Sequence, residues 1–443
     1  MRKYVSFGLL LISASILADT GSTNRYVWNN SPTPCSPFNA WTNAAHDIQT
    51  AVSYASAGDT VWVTNGIYTN SLNGSNNSSQ LIIKYKALTL RSVNGADVTI
   101  IDGNYPYVTN RCIEVQIPGV TIDGFTITNG YMTIQYACAG IVIGVIDGAG
   151  YGIIKNCVIS GNRSINAGNN GSGAGIQMLG SNGLIDNCVI SGNSNSFLGG
   201  GVYFYNSGNT MQFCRVVGNI SGTGGGVYAR KSTVLKNCVF SNNVALQTGY
   251  VDGGGIYLTG GTIENCLICY NIASTNAGSI SAARGGGVSA GGMFKVLNCT
   301  IVKNVAGQGG GLFYYDAPGP TGSVVNTIID LNTLYSGSAG PGVAIAWGHN
   351  NFDVSFTNCS LQCRADVAGH STTNNQCLFE INNGFVDTNT GNFRLLSSSP
   401  CVNAGTNQDW MTNAVDIDGN RRIIDGNVDM GAYEFLPLRR TGQ

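Results

Sequence analysis

The chain repeats a short segment built around a cysteine, and this repeat limits the folds that it can adopt. IKNCVISGN, around Cys157, returns around Cys188 as IDNCVISGN. Further copies recur at similar intervals, with the shared position held by Cys157, Cys188, Cys214, Cys238, Cys266, Cys299 and Cys359, by Thr327 and, earlier, by Phe125. A short, sustained period of this kind is typical of solenoids, in which each repeat packs only on its neighbours.

Asparagines accompany the shared position in most copies. The residue before it is Asn156, Asn187, Asn237, Asn265, Asn298, Asn326 or Asn358. A second asparagine follows the shared position at Asn162, Asn193, Asn219, Asn243, Asn271, Asn304 and Asn332. Asparagine tolerates the left-handed backbone of a sharp turn, and stacked asparagine amides can hydrogen bond from one repeat to the next. We therefore predict a structural ladder formed by the first set.

Each repeat also contains a glycine cluster followed by a short alternating segment, as in GGGVYFY and GGGVYAR. A period of two with β-branched residues indicates strands and not helices. Strands of three to five residues, two or three per repeat and joined by glycine and asparagine turns, predict an all-β parallel β-helix. The repeats account for about 11–12 coils between Thr60 and about Asn392.

These repeats resemble those of bacterial right-handed parallel β-helix proteins of the pectin-lyase-like superfamily. The segment IQTAVSYASAGDTVWVTNGIY, residues 48–68, resembles the usual entry to such domains, with a short helix that caps the core. The segment AVDIDGNRRIIDGNVDMGAYEF, residues 414–435, resembles the closing segment of choice-of-anchor families, although only LPLRRTGQ follows it. We predict an N-terminal segment with the capping helix at 19–59, the β-helix at 60–392 and a C-terminal cap at 393–443.

The start of the chain, 1–18, has the order of a secretory signal peptide. Arg2 and Lys3 precede an apolar run, and Ala18 offers a small residue before Asp19. A retained N-terminal anchor is the alternative, and no other stretch is long and apolar enough to cross a bilayer. We expect an exported protein, secreted or at the cell surface of a bacterium, without a membrane span after cleavage. With 22 basic and 23 acidic residues and no basic stripe, the sequence does not indicate a nucleic-acid partner.

The chain contains 14 cysteines, which in an exported protein would usually suggest disulfides. Those at the shared position face inward in the predicted register, and bonds between stacked neighbours would strain the disulfide dihedral angle. We expect these thiols to be free and buried. Cys363–Cys377 is the best candidate for a local disulfide. Cys266 and Cys269 form a CxxC pair without a second pair at zinc spacing, so a zinc site is not favoured.

Alternate residues after the glycine clusters face outward, and many are aromatic. In the pectin-lyase-like superfamily, sugar chains usually lie along such a strand face. The resemblance therefore implies glycan binding by Tyr203, Tyr205, Tyr228, Arg230, Tyr257, Phe313 and Tyr315. The alternative is that the aromatic rings stack only on one another across strands.

Catalysis would require acidic clusters that the repeats do not supply. A β-eliminating lyase needs a cation for the uronate and a base for its proton, and a glycosidase needs paired carboxylates. Asp186 and Glu264 share one outward position but lie three coils apart, about 14 Å at strand spacing. The leading hypothesis is a non-catalytic, exported protein that presents a repetitive surface to glycans. The alternative is a polysaccharide lyase or glycoside hydrolase acting on an acidic polysaccharide.

The acid-rich C-terminal segment offers one candidate metal site. Asp416 and Asp418 lie in DIDGN, which resembles the first half of a calcium-binding loop, and Asp429 follows in the same segment. No glutamate stands at position twelve of a loop that starts at Asp416. A salt-bridged terminal cap is therefore the favoured interpretation, and a Ca²⁺ site at these three residues is the alternative. No other cofactor is predicted.

Overall fold

The chain winds into a stack of coils, each of which contributes one strand to several long parallel sheets. The computed structural model describes residues 23–69, 78–134, 137–144, 151–165, 173–230, 232–275, 282–315, 322–335, 343–345, 354–364 and 372–437. The predicted signal peptide lies outside these ranges. We name the sheets 1 to 4 in the order in which a coil meets them.

Sheets 1 and 2 are the longest, with 13 and 12 strands in the described ranges. Sheet 1 contains Asn24–Val27, Thr60–Val63, Thr89–Ser92, Val120–Asp123, Gly152–Lys155, Leu184–Asp186, Thr210–Gln212, Thr233–Lys236, Gly261–Glu264, Phe294–Leu297, Gly322–Val325, Val354–Thr357 and Thr372–Asn375. Sheet 2 contains Gly66–Tyr68, Thr99–Asp102, Thr126–Thr128, Val158–Ser160, Val189–Ser191, Arg215–Val217, Val239–Ser241, Leu267–Cys269, Thr300–Val302, Ile328–Asp330, Ser360–Leu361 and Leu378–Phe379.

Sheets 3 and 4 complete the coil, with eight and ten strands in the same part of the chain. Sheet 3 contains Tyr131–Met132, Arg163–Ser164, Ser194–Asn195, Ile220–Ser221, Val244–Gln247, Ile272–Thr275, Val305–Ala306 and Thr333–Leu334. Sheet 4 contains Ser78–Ile83, Asn110–Val115, Ile141–Ile143, Ile176–Met178, Val202–Phe204, Val227–Ala229, Ile256–Leu258, Val288–Gly291, Leu312–Tyr315 and Val343–Ile345. The all-β parallel β-helix is confirmed, and sheet 2 has 12 strands in the described ranges.

Smaller elements lie outside these four sheets. Val251–Asp252 pairs with Ala283–Arg284 in parallel, and Phe385–Asp387 pairs with Asn392–Leu395 in antiparallel fashion. Short 3-10 helices span Trp41–Asn43 and Asp409–Asn413. The repeats predicted two or three strands per coil. The strands of sheet 3 are not visible in the sequence, because most have only two residues, too few for an alternation.

The α-helix Ile48–Tyr54 packs against the first coils. Asp47 precedes it, and its carboxylate accepts a hydrogen bond from the Thr50 N–H at 2.8 Å, which satisfies one otherwise unpaired donor of the first turn. Ile48, Ala51 and Val52 face the core and are buried. Within the described ranges, no helix combines the length and apolar character needed to span a bilayer.

The repeated asparagine and cysteine form the corner between sheets 1 and 2. Each of the seven predicted ladder asparagines has a positive φ, between 49° and 55°, so the chain turns there. Their amides bond between some neighbouring coils, as from Asn187 Nδ2 to Asn156 Oδ1 at 2.8 Å and from Asn265 Nδ2 to Asn237 Oδ1 at 2.9 Å. Phe213 holds the turn position in the coil between Asn187 and Asn237, with φ 54° but no amide, and this interrupts the ladder.

Cysteine suits the next position because it is small, apolar and able to accept a backbone hydrogen bond. Cys188 N–H donates to Cys214 Sγ at 3.4 Å, and Cys188 Sγ contacts Asp186 O at 3.2 Å. Thr327 accepts from Cys299 N–H in the same way, with its hydroxyl oxygen at 3.2 Å. The thiols at this position are buried and free, as predicted, and burial raises the pKa of the Cys157 thiol well above its usual value.

Cys363 and Cys377 do not form the predicted disulfide bond. Cys377 instead continues the cysteine column, since the strands before and after it pair with those around Cys359. Gln376 replaces the usual asparagine there and has φ 53°. This substitution is why the copy was not recognised in the sequence.

The second set of asparagines forms a fully buried ladder between sheets 2 and 3. Asn219 N–H and Nδ2 both donate to Asn243 Oδ1 at 3.0 Å, and Asn219 Nδ2 also donates to Ile190 O at 2.9 Å. The pattern runs from Asn162 to Asn332 with the same geometry in every coil, and Gln362 extends it by accepting from Asn332 N–H. The sequence indicated the spacing of this set but not that it is the more continuous of the two ladders.

The C-terminal residues run back along the side of the β-helix. Their backbone carbonyls accept hydrogen bonds from the corner asparagines of successive coils, at Asn265 (Val415 O, 2.7 Å), Asn298 (Asp429 O, 3.4 Å), Asn326 (Thr406 O, 2.9 Å) and Asn358 (Ala404 O, 3.0 Å). Apolar side chains of the same segment cover the outer face of sheet 2, where Phe393, Ala432 and Tyr433 pack on Leu267, Cys269 and Val302. We call residues 382–435 the side segment.

A buried ion pair closes the side segment onto the β-helix. Arg422 is fully buried, and its guanidinium lies 3.1 Å from Glu434 Oε1 and donates to Asn265 Oδ1 at 3.2 Å and to Gly431 O at 3.1 Å. Burial raises the pKa of Glu434 to about 8, although the Arg422 charge opposes this shift. The pKa of neighbouring Asp429 is raised for the same reason.

The raised pKa of Glu434 predicts that the protein loses stability as pH increases. The folded state holds the proton more tightly than the unfolded chain, in which the pKa is near 4.5. This contribution is complete below about pH 4.5 and declines until about pH 8, by at most about 1.4 kcal/mol per pH unit. Denaturant unfolding at pH 5, 6.5 and 8 should show the free energy of unfolding of wild type falling relative to that of Glu434→Gln. A constant difference between the two proteins would contradict the assignment.

Candidate functional site

The outward residues of sheet 4 form a column of aromatic side chains. Strand pairing places Gln177, Tyr203, Tyr228, Tyr257, Ser289 and Phe313 side by side in successive coils, in the register that the sequence predicted. Ring centroids are 5.2 Å apart between Tyr203 and Tyr228 and 4.7 Å apart between Tyr228 and Tyr257. The three rings therefore form one continuous row across three coils, with neighbouring rings tilted by 35° and 30°.

The column is less accessible than its outward direction suggests. Tyr203 is only 3% exposed and Phe313 only 1%, so neither can offer a ring face to a ligand in this structure. The other described members of the predicted set, Tyr205, Tyr228, Arg230 and Tyr257, are half-buried. The side chain of Tyr315 lies outside the described residues. We call Tyr205, Tyr228, Arg230 and Tyr257 the tyrosine face.

Arg230 is the charged centre of the tyrosine face. Its guanidinium carbon lies 4.4 Å from the centroid of the Tyr205 ring and 6.0 Å from that of Tyr203, within the range of cation–π attraction. No carboxylate of the described residues pairs with it. Burial raises the pKa of Tyr203 to about 12 and also raises that of Tyr228, and Arg230 partly offsets both shifts. These phenols therefore stay protonated near neutral pH and can donate hydrogen bonds.

An ion pair between Asp252 and Arg284 lies beside the column, and it was not predicted from the sequence. Asp252 accepts from Arg284 through both carboxylate oxygens, at 2.8 Å and 2.6 Å, and Ser289 Oγ donates to Asp252 Oδ1 at 3.2 Å. Arg284 also lies over the rings of Phe313 and Tyr250, at 5.1 Å and 4.8 Å. Asp252 and Arg284 each precede a glycine triplet, in VDGGG and ARGGG, so aligning the triplets would have found the pair.

Sheet 1 carries Asp186 and Glu264, the two acids that share one outward position in the sequence. Asp186, Gln212, Lys236 and Glu264 form one column in successive coils, so Asp186 and Glu264 are separated by two intervening residues. Burial raises the pKa of Glu264, and the positive charge of Lys236 offsets this shift only in part. The two acids belong to a different sheet from the tyrosine face and do not form a pair on it.

The three candidate calcium ligands are engaged by protein donors. Asp416 Oδ1 accepts from the N–H groups of Asp418 and Asn420, and Asp429 Oδ1 accepts from Asn403 N–H at 2.6 Å. Asp418 forms a two-oxygen ion pair with Arg394, with both contacts at 2.6 Å. Across the described chain, no group of three or more His, Cys, Asp and Glu side chains is placed to hold a metal ion. These hydrogen bonds and the Asp418–Arg394 ion pair hold the side segment together.

Comparison with known proteins gives a structural likeness but no sequence match. No protein-family model and no curated protein sequence matches the chain. Its structure is similar to that of pectate lyase Pel9A, with a TM-score of 0.53 and 14% identity over 94% of this chain and 97% of that one. Weaker likenesses are to the Dettilon tailspike protein gp208, with a TM-score of 0.41, 15% identity and coverage of 81% and 68%, and to an alginate lyase from Paenibacillus sp. str. FPU-7, with a TM-score of 0.31, 13% identity and coverage of 68% and 95%. The likeness to the pectate lyase shows a shared parallel β-helix, the pectin-lyase-like fold.

Proposed function

We propose that the tyrosine face binds an acidic polysaccharide and that the protein is an exported, non-catalytic glycan-binding β-helix. The observation that carries the proposal is a continuous row of tyrosines that includes an arginine without a carboxylate partner among the described residues. Aromatic rings can pack against the C–H faces of sugar rings, and a guanidinium matches the geometry of a carboxylate. Uronate polymers combine these two features.

The repeat of the β-helix also suits a polymer. Tyr228 and Tyr257 occupy equivalent positions in adjacent coils, about 4.8 Å apart along the stack. A sugar chain that runs along this axis would contact similar side chains in adjacent coils. The solved structures of similar fold include a pectate lyase, which agrees with a carbohydrate role without defining one.

A polysaccharide lyase remains the second candidate, because Arg230 and the Tyr228 hydroxyl are close enough to interact. In such an enzyme an arginine neutralises the uronate and a base removes the proton. The raised pKa of Tyr228 makes its hydroxyl a poor base at neutral pH, which favours binding alone. Incubation of the protein with polygalacturonate or alginate, with and without Ca²⁺, tests this: formation of unsaturated chain ends above background would replace the binding proposal with the lyase.

Export is part of the proposal and rests on the N-terminal sequence alone. The charged start, the apolar run and Ala18 are the supporting features. N-terminal sequencing of the protein secreted by a bacterial host tests it. The proposal requires a mature chain that begins at or near Asp19.

Removing the accessible tyrosines should weaken polysaccharide binding without unfolding the protein. We expect Tyr228→Ala with Tyr257→Ala to lower affinity for an acidic polysaccharide about tenfold or more, since buried aromatic contacts dominate most binding sites. Arg230→Met should remove the preference for polygalacturonate over neutral dextran and reduce the salt dependence of binding. Retention in gels that contain each polymer measures both effects.

Tyr107→Ala and Arg215→Met provide matched controls. Tyr107 is 84% exposed, and Arg215 is exposed on the outer face of sheet 2, so both changes remove the same side-chain types away from the tyrosine face. Retention equal to wild type is expected for the two controls. If the control variants and the face variants lose retention equally, or if none of them does, the tyrosine face is not the binding surface.

A further inference from the structure

A cavity of about 200 Å³ lies at the N-terminal end of the β-helix, away from the tyrosine face. The start of the capping helix and the first strands of sheets 2 and 4 surround it. The apolar part of the lining is formed by Ile48, Ile67, Leu81 and Ile101. The volume is several times the roughly 30 Å³ that one water molecule occupies in the liquid. The cavity can therefore hold a small organic molecule.

Within the described part of the chain, two amide oxygens of the lining residues have no hydrogen-bond donor. They are Asn29 Oδ1 and Gln80 Oε1, and both atoms are buried. The amide orientations are fixed by their nitrogens, because Gln80 Nε2 donates to Asp102 O at 2.7 Å and Asn29 Nδ2 donates to Ile67 O at 3.4 Å. Gln80 is only 3% exposed, so solvent outside the cavity cannot satisfy its oxygen. A buried acceptor without a donor is costly.

Four further polar residues of the lining, His46, Asp47, Gln49 and Tyr68, have hydrogen-bond partners in the protein. His46 Nε2 bonds to Ser31 O at 3.0 Å, and the Asp47 carboxylate accepts from the N–H and hydroxyl of Thr50. The Gln49 amide forms two bonds with the backbone of Ile82, at 3.2 Å and 2.7 Å. The lining thus combines two neutral acceptors that lack a donor among the described residues, Asn29 Oδ1 and Gln80 Oε1, with four aliphatic side chains.

We propose that this cavity binds one hydroxyl-rich ring of monosaccharide size. Such a ring carries hydroxyl donors along its edge and C–H groups on its face, which matches the acceptors of Asn29 and Gln80 and the aliphatic side chains of Ile48, Leu81 and Ile101. The two amides accept from ring hydroxyls, and the C–H face packs on these aliphatic side chains. This site is separate from the tyrosine face and does not depend on the polysaccharide proposal.

Ligand-observed NMR with glucose, galacturonate and myo-inositol as probes tests the site. We expect saturable binding of at least one probe to the wild-type protein, weakened about tenfold or more in Gln80→Met, which removes the acceptor. Ile67→Trp is a second variant that fills the cavity from its mouth, and Ile67 is 57% exposed, so this change leaves folding intact. If Gln80→Met fails to fold, probe binding by Ile67→Trp alone tests the proposal.

Two controls separate this site from the rest of the protein. Gln212→Met removes an amide that bonds to Asp186 on sheet 1, and it should leave probe binding unchanged. The double variant Tyr228→Ala and Tyr257→Ala should also retain it, whatever its effect on polysaccharides. The proposal is overturned if wild type binds no probe and a crystal structure shows only ordered water at the two oxygens. It is also overturned if Gln80→Met and Ile67→Trp bind as wild type does.

Discussion

Replacing Gly254 with alanine should cost about 3 kcal/mol or more of the free energy of unfolding. A Cβ at this position would lie within 2.5 Å of the Gly286 carbonyl oxygen and of the Ile272 backbone, both in the next coil. The obstacles are backbone atoms held by the parallel pairing on either side, so they cannot move aside as a flexible side chain would. Gly225 and Gly286 meet the same close approach in their own coils. Denaturant unfolding of the purified variant measures the loss.

Gly192→Ala separates this close approach from backbone strain. Gly192 has φ +61°, and nothing lies within 4 Å of its added Cβ. Its replacement should cost only about 1–2 kcal/mol, the penalty of a left-handed conformation for an L-residue. If the two variants lose equal stability, the glycine triplets are not explained by the contact between coils.

Replacing Arg422 with methionine should cost about 3–5 kcal/mol, because it leaves several buried hydrogen-bond acceptors without their donor. The guanidinium joins Glu434 of the side segment to Asn265 of the β-helix and also bonds to Gly431 O. Methionine fills a similar space but offers no donor. We expect the side segment to detach, which limited proteolysis should reveal as early cleavage within residues 382–435.

Arg421→Met is the matched control for this change. Arg421 is the adjacent residue and is exposed, so its loss should alter stability by about 0.5 kcal/mol or less. Equal effects of the two substitutions, or unchanged proteolysis of Arg422→Met, would show that the side segment is held by its apolar contacts alone.

The features that repeat along the chain could be predicted from the sequence. The β-helix, the turn asparagines, the buried thiols and the register of Tyr203, Tyr228 and Tyr257 all follow from aligning one coil with the next. Each depends only on neighbouring coils, so the period in the sequence is also the period in the structure.

The features that occur once could not be predicted in this way. Arg422 contacts Asn265, which is far away in the sequence, and no repeat links the two. Phe313 is buried, and Arg284, which lies over its ring, belongs to a different strand. The buried side-chain oxygens of Asn29 and Gln80, which lack a donor among the described residues, likewise lie where the capping helix meets the first coils. Irregular contacts define the candidate sites, whereas the regular ones define the scaffold.

The path of the side segment sets the order in which the protein can assemble. In the coils before Asn237, the described hydrogen bonds of the corner asparagines join neighbouring coils and do not involve the side segment. These coils can therefore form as soon as they are synthesised. From Asn265 onward, the corner asparagines and the outer face of sheet 2 reach their final contacts only when the side segment, at the end of the chain, arrives. The second half of the β-helix therefore completes its folding late, and in unfolding it should be the first part to open.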